Sequence, residues 1–275
     1  MEPKACVVRT AGTNCDKETA YAFSVFGCEA ELVHINELVS GKKKLAAYHI
    51  LALPGGFTYG DDIAAGKVMA NELRFKLAGQ LKDFLAEGKL VIGICNGFQI
   101  LVKSGLLPGC AEARPGASDK AGENDDLEQQ ASLIINDSGS FQAEWVNLKS
   151  PQEESLCVWA RDLPPVIYLP IAHGEGKFMV KDSAVLERLK RNNQIVFRYC
   201  SPSGELEGFN PNGSLENIAG VCDATGRVLG LMPHPERHLY ARQHPRWRAS
   251  GEGSTGDGFF IFRNGVEYVR KNFCK

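Results

Sequence analysis

Val91-Ile92-Gly93-Ile94-Cys95-Asn96-Gly97-Phe98-Gln99 decides the fold. A continuous apolar run, Leu90 to Ile94, meets Gly-x-Cys-x-Gly, and a helical pattern follows from about Gly97 to Lys103. An apolar strand entering a sharp turn and then a helix is the sulfur form of a nucleophile elbow. Gly93 and Gly97 remove the side chains that would collide across such a turn. The thiol of Cys95 would then stand at the carboxyl edge of a sheet and at a helix N-terminus, where a thiolate is stabilised and backbone N–H groups are free. A buried cysteine between closely packed elements would leave the same three letters. The strand–turn–helix context favours the elbow.

Outward from the elbow, the first hundred residues alternate strand and helix. Ala5 to Arg9, Glu29 to Ile35 and Tyr48 to Leu53 read as strands. Asp16 is placed to cap a helix ending at Gly27, and Asn71 to Glu87 reads as one amphipathic helix with Leu73, Leu77, Leu81, Phe84 and Leu85 on one face. Such alternation predicts an α/β fold: an open, mostly parallel sheet with helices on both faces, flavodoxin-like, with ligands beyond the carboxyl ends of its strands. Residues 112–130 are polar and rich in turn formers, which predicts an exposed loop insertion. Beyond it lie strands at Ser132–Ile135, Glu144–Leu148, Val166–Ile171 and Gln194–Tyr199, with a helix at Ser183–Arg191. Ala219–Cys222 and Val228–Met232 predict a hairpin, and Phe259–Lys271 a closing helix. These later strands predict a short antiparallel β extension. No repeat and no long linker divides the chain, so residues 1–275 are expected to form a single domain.

Composition excludes several classes. Hydrophobic residues make up 44% and charged residues 23%, as in ordinary globular chains. Lys plus Arg is 31 against 33 Asp plus Glu, leaving no basic excess for nucleic-acid phosphates. Nine cysteines, with no C-x-x-C pair, argue against a disulfide framework and a thiolate zinc site. No signal peptide pattern and no ~18-residue apolar run is present, so a cytoplasmic location without membrane association is expected.

A cysteine nucleophile needs a base, and the base an orienting group. His34, His49 and His244 read as structural or exposed. Two histidines lie in strand-end contexts: His173 in Pro170-Ile-Ala-His-Gly-Glu-Gly176, and His234 in Met232-Pro-His-Pro-Glu-Arg237. Pro233 and Pro235 bias Met232 and His234 to be extended, so residues two apart face one side. Glu236 can then accept Nδ1–H of His234 and leave Nε2 to the thiol. A proline-stiffened turn with an exposed histidine fits the same motif. His234 and His238 have i, i+4 spacing, but Pro235 discourages a helix there and no metal site is read. The N–H groups of Gly56, in Pro54-Gly-Gly-Phe57, and of Asn96 are natural oxyanion donors, although Pro-Gly-Gly also fits an ordinary turn. Gly251-Glu-Gly-Ser-Thr-Gly256 matches a dinucleotide fingerprint but follows no strand, and no P-loop motif occurs. No cofactor site is therefore read on this chain.

These strings resemble class I (triad) glutamine amidotransferases. Pro54-Gly-Gly-Phe-Thr-Tyr-Gly-Asp-Asp62, Pro170 to Gly176, Asn210-Pro-Asn-Gly-Ser214 with Asn217-Ile-Ala-Gly220, and Gly230 to Arg237 narrow the resemblance to the glutaminase subunits of phosphoribosylformylglycinamidine synthases, over residues 4–273. The resemblance implies L-glutamine hydrolysis through a thioester on Cys95. It also implies delivery of ammonia to a synthetase subunit that uses ATP and Mg, with a small bridging subunit in the same purine-pathway complex. It assigns substrate contacts to Phe57, Gln99, Asn136, Ser138 and Phe141, and partner-facing roles to His173 and the 203–218 loop. Two departures are the acidic 112–130 segment, longer than in compact members, and Asp62 where many carry an aromatic. Competing readings are a cysteine-elbow hydrolase or protease, whose members commonly place histidine where Asn96 stands, and a non-catalytic partner-binding subunit.

Overall fold

The computed structural model describes residues 2–109, 128–151, 155–248 and 255–274. Most of the expected 112–130 insertion, Cys110, and the first four residues of the 251–256 glycine motif lie outside the described residues.

Short apolar runs form the first strands: β1 Lys4–Arg9, β2 Glu29–His34, β3 Ile50–Leu53 and β4 Leu90–Ile94. Between them lie α1 Asp16–Ser24, α2 Ile35–Val39, α3 Lys67–Lys76 and α4 Ala78–Ala86. After the elbow come α5 Asn96–Lys103, β5 Ala131–Ile134, β6 Gln142–Lys149, β7 Val166–His173, β8 Lys177–Val180, α6 Ser183–Arg191, β9 Ile195–Cys200, β10 Ile218–Cys222, β11 Val228–Leu231 and α7 Gly258–Phe273.

The main sheet has nine strands in the order β2-β1-β3-β4-β11-β10-β9-β6-β7, and β5 pairs with β8 apart from it. From β2 to β11 every pairing is parallel. From β11 onward every pairing is antiparallel. The expected α/β sheet is present, and its antiparallel extension amounts to four strands. All residues of β3, β4, β10 and β11 are buried. Side chains alternate across a strand, so full burial means that both faces of the central sheet are covered. Phe23 of α1 meets Phe262 of α7 edge-on at 5.0 Å, and Phe98 of α5 stacks on Phe178 of β8 at 5.9 Å.

Three local expectations are corrected. Asn71–Glu87 is not one helix: Leu77 (φ −118°, ψ 8°) breaks it into α3 and α4. Gly79, a poor helix former, follows two residues later, while Leu73, Leu77, Leu81 and Phe84 remain buried. Asp16 does not cap α1; Cys15 holds that position, and Asp16 lies in the first turn, where its charge suits the helix dipole. The strand β8 was not expected, because Lys177-Phe-Met-Val180 is short and only Phe178 is fully buried.

The elbow is a matter of clearance. A Cβ on Gly97 would lie 1.8 Å from the Leu53 carbonyl oxygen, and one on Gly93 would lie 2.6 Å from the Gly97 carbonyl oxygen. Helix α5 is thus in backbone contact with the ends of β3 and β4. Gly97→Ala is expected to destabilise by about 3 kcal/mol or more, since backbone must move. Gly79→Ala, whose Cβ meets nothing within 4 Å, is expected to stabilise by up to about 1 kcal/mol. Urea unfolding of the two variants beside the parent checks both signs.

Candidate active site

Cys95 sits between β4 and α5 with φ 51° and ψ −104°. A non-glycine residue at positive φ is strained, and here the strain aims the thiol out of the sheet. Its N–H is held by the Leu231 carbonyl at 2.8 Å, so the elbow is pinned to the end of β11. Its Sγ lies 3.5 Å from the Ala172 carbonyl oxygen of β7, and the residue is 5% exposed.

Because β11 runs parallel beside β4, the chain leaving β11 emerges next to the elbow. His234 is fixed there by its N–H on the Pro170 carbonyl at 2.8 Å. Its Nδ1 lies 2.6 Å from Glu236 Oε1, and both residues are buried. The local route differs from the expected extended chain. His234 is roughly extended (φ −103°, ψ 89°), but Pro235 opens a 3-10 turn that brings Glu236 round to the imidazole. Burial pushes the imidazole toward its neutral form. The Glu236 carboxylate, then Cys95 and Cys15, outweigh burial and hold the His234 pKa well above the ordinary histidine value.

The candidate oxyanion donors lie on the loop after β3 and at the start of α5. Gly56 ends the β3 loop with φ 143°, and a Cβ there would lie 2.7 Å from the Asn14 nitrogen. Among the described residues its N–H has no acceptor. Asn96 opens α5, where the first N–H groups have no intrahelical acceptor. The Asn96 side chain is committed elsewhere. It accepts from Thr58 N–H at 3.2 Å and donates to Asp61 Oδ1 at 3.0 Å and Gln99 Oε1 at 2.9 Å. Burial raises the Asp61 pKa against the N–H groups of Gly66 and Asn96. Nearby, burial lowers that of Lys103, whose Nζ reaches the Ala65 carbonyl at 2.6 Å and Glu175 at 3.5 Å.

The residues expected to hold substrate divide into two groups. Phe57 (48% exposed) and Phe141 (52% exposed) face each other at 6.4 Å beside the elbow loop. Gln99 and Asn136 are buried and engaged internally. Gln99 Nε2 donates to the Glu175 carbonyl at 2.7 Å, and Asn136 Nδ2 donates to the Ser140 and His173 carbonyls, each at 2.9 Å. Ser138 is exposed and bonded within its own turn, to Ser140 and Gln142.

His173 does not face outward as expected: it is 3% exposed. Gly176 closes over its ring, where a Cβ would lie 2.2 Å from Cε1. Asn136 Oδ1 accepts from Gly176 N–H at 2.9 Å and lies 3.2 Å from His173 Nδ1. Since that oxygen only accepts, Nδ1 carries the proton and Nε2 is bare. Burial, with His234 nearby, lowers the His173 pKa to about 4. In the 203–218 loop Phe209 is exposed, whereas Asn212 and Ser214 are buried.

Cys15 belongs to no motif that the sequence marks. It lies against His234 and contributes to the raised pKa of that ring. Arg237 Nη2 donates to its Sγ at 3.0 Å. The available signal was its position just past the carboxyl end of β1. His238 stands apart, with Nδ1 on the Tyr168 carbonyl at 2.7 Å.

A thiol on a strained elbow, an imidazole backed by a carboxylate, and two N–H groups at strand ends are the parts of an acyl-transfer site of the triad amidotransferase class. The model of the CobB/CobQ-like glutamine amidotransferase domain matches residues 2–269. Phosphoribosylformylglycinamidine synthase subunit PurQ of Dehalococcoides mccartyi is 44% identical over 271 residues, covering 98% of each chain. Subunit PurQ of Methanococcus maripaludis is 41% identical over 283 residues, again 98% of each. A chain of the solved "Structure of PurLQS from Thermotoga maritima" superposes with TM-score 0.70 at 32% identity, over 98% of this chain and 100% of that one. The glutaminase domain of Trypanosoma brucei CTPS shares the fold at TM-score 0.52 and 14% identity, over 97% of this chain and 94% of that one. The chain belongs to the CobB/CobQ-like glutamine amidotransferase family, in its phosphoribosylformylglycinamidine synthase PurQ branch. No helix of the described residues is long and apolar enough to cross a membrane.

The lowered His173 pKa has a consequence for stability. The folded state holds fewer protons on this ring than the unfolded state between pH 6.5 and about 4. Its contribution is therefore full above 6.5 and is lost as pH falls toward 4, by up to about 3 kcal/mol. His173→Gln keeps a polar partner for Asn136 without titrating. Urea midpoints measured from pH 7 to 4 should fall less steeply in that variant than in the parent.

Proposed function

We propose that this chain is the glutaminase half of a phosphoribosylformylglycinamidine synthase. One observation carries the reading: a buried His234–Glu236 pair at 2.6 Å beside the elbow thiol of Cys95. The names of the relatives and the full-length coverage support it. In the proposed cycle Cys95, its proton on His234, attacks the side-chain amide carbon of L-glutamine. The N–H groups of Gly56 and Asn96 receive the oxyanion, each worth about 3 kcal/mol in the transition state. His234 returns the proton to the departing nitrogen, releasing NH3 and a γ-glutamyl thioester. Water, giving a proton to His234, then opens the thioester to glutamate and restores the thiol. Glu236 positions the imidazole and balances its charge. Phe57 and Phe141 would line the glutamine entrance.

The acceptor chemistry belongs to other chains. The PurLQS name of the Thermotoga neighbour supports partner subunits. In the proposal these are a synthetase and a small bridging subunit, with ATP and Mg on the synthetase and no cofactor on this chain. Phe57, Phe141 and Ile63 (88% exposed) leave an apolar rim beside the site, which suits a covering partner. The protease-like reading loses ground because the position after Cys95 is occupied by an asparagine committed to three hydrogen bonds.

Two experiments on the reconstituted complex test the proposal. Cys95→Ala should cut glutamine-dependent amidine formation by about 10³-fold or more while ammonia-dependent formation persists. Equal loss of both activities would rule out the glutaminase role. Glu236→Gln should lower kcat by about 10²–10⁴-fold with little change in KM, because it disturbs the imidazole and not the substrate. A rise in KM at constant kcat would contradict that role for Glu236.

A further inference from the structure

Cys15 gives the site a second thiol, and it falls within a set of metal-ligand types. One ligand atom from each of Cys15, His234 and Glu236 lies within 4.8 Å of the other two, and all three residues are buried. The other nitrogen of the His234 ring and the other oxygen of Glu236, Nε2 and Oε2, are enclosed without a hydrogen-bond partner. A fourth neighbour leaves room. A Cβ on Gly55 would stand 2.7 Å from His234 Cε1 and 3.3 Å from Cys15 Sγ, so the glycine keeps the space beside both groups open.

We propose that Cys15, His234 and Glu236 form a binding site for a thiophilic divalent cation of the Zn²⁺ type, and that its occupancy shuts off the amidase. A thiolate, an imidazole and a carboxylate are the ligand types that zinc takes at about 2.0–2.3 Å. Tetrahedral bonds of that length set ligand atoms about 3.3–3.8 Å apart, so binding draws in the wider contacts, which span up to 4.8 Å, and opens the 2.6 Å contact between Nδ1 and Oε1. On binding, Cys15 gives up its thiol proton and His234 the Nδ1 proton it shares with Glu236, both to solvent, which leaves the ring proton on Nε2. The resulting thiolate and the Glu236 carboxylate match the two charges of the ion. Burial raises the Cys15 pKa, and the ion must offset it; Arg237, 3.0 Å from Cys15 Sγ, works in the same direction as the ion, its own charge met by Glu18 at 3.3 Å. The ion takes an imidazole lone pair and a carboxylate oxygen of the group that moves the proton in the proposed cycle. The inhibitory part rests on that cycle, whereas the binding part stands on the geometry alone.

The cobalt ion reports on the binding part. Metal-free full-length chain, titrated anaerobically with Co²⁺, should bind one equivalent and show a near-ultraviolet thiolate-to-cobalt band with tetrahedral visible bands. Cys95→Ser should keep the band. Cys15→Ser should lose it and bind about tenfold or more weakly. Should Cys15→Ser fold poorly, Cys15→Ala and His234→Gln, checked by circular dichroism, carry the same expectation of weakened binding. A band kept without Cys15, a band lost without Cys95, or no saturable binding would overturn the site. In the complex, Zn²⁺ should inhibit glutamine hydrolysis reversibly by chelator, and inhibition of Cys15→Ser, scaled to its own metal-free rate, should need about tenfold more zinc. Equal zinc sensitivity would overturn the inhibitory role. A metal-free complex without glutaminase activity would fault the proposed function and leave the cobalt result to decide the site.

Discussion

Everything at this site depends on how closely helix α5 approaches the ends of β3 and β4. The contact is backbone against backbone. Gly97 has its Cα facing the Leu53 carbonyl, with no room for one methyl group. That closeness holds Cys95 in a conformation a free chain would avoid, φ 51° and ψ −104°. Strain of this kind costs about 1–3 kcal/mol and persists only where the surroundings over-determine it. Here three elements do so: the Leu231 carbonyl on the Cys95 N–H, the β3 end under Gly97, and the Asn96 side chain on the 58–66 loop.

The change of strand direction at β11 supplies the remaining groups. The parallel half ends its strands on one edge, which gathers the β1 loop with Cys15, the β3 loop with Gly56, the elbow, and the chain leaving β11 with His234. The antiparallel half then returns β7 to the same edge, where the Ala172 carbonyl meets the thiol and the Pro170 carbonyl holds the His234 N–H. His234 is therefore fixed by both halves of the sheet. An imidazole with Glu236 behind it and little water around it keeps a fixed orientation, since the low dielectric strengthens each bond it makes.

What could be read from the sequence was what short stretches encode. The elbow is legible because strand, turn and helix follow one another without a gap. The His234–Glu236 pairing is legible from spacing, although the geometry that achieves it is a 3-10 turn begun by Pro235 and not an extended strand. The parallel core is legible from continuous apolar runs, since strands buried on both faces need no alternation. Hidden features are those that arise only when distant segments meet. The ring of His173 is enclosed by Gly176 and Asn136, the latter 37 residues away, so the partner-facing role that the resemblance implies falls on a ring that the fold buries. Cys15 and His234 are joined only by the parallel packing of the sheet. Gln99, to which the resemblance gives a substrate contact, has both ends of its amide taken by Asn96 and Glu175.

Asn96 shows why the base must come from so far along the chain. The residue after an elbow nucleophile stands at the first turn of a helix, near enough to the thiol to act on it. In this protein its carboxamide instead receives Thr58 N–H and gives hydrogen bonds to Asp61 and Gln99. An imidazole, with one donor and one acceptor in its neutral form, cannot make those three bonds. Histidine at that position would release the loop that carries Phe57 and the neighbouring Gly56 N–H. In the proposed cycle the position beside the thiol is thus occupied by a residue that shapes the oxyanion side, and proton transfer falls to the next strand end, where β11 delivers His234. Placing the two tasks on different strands leaves the loop and the imidazole independently supported. It also leaves the imidazole open on the β1 side, where Cys15 reaches it.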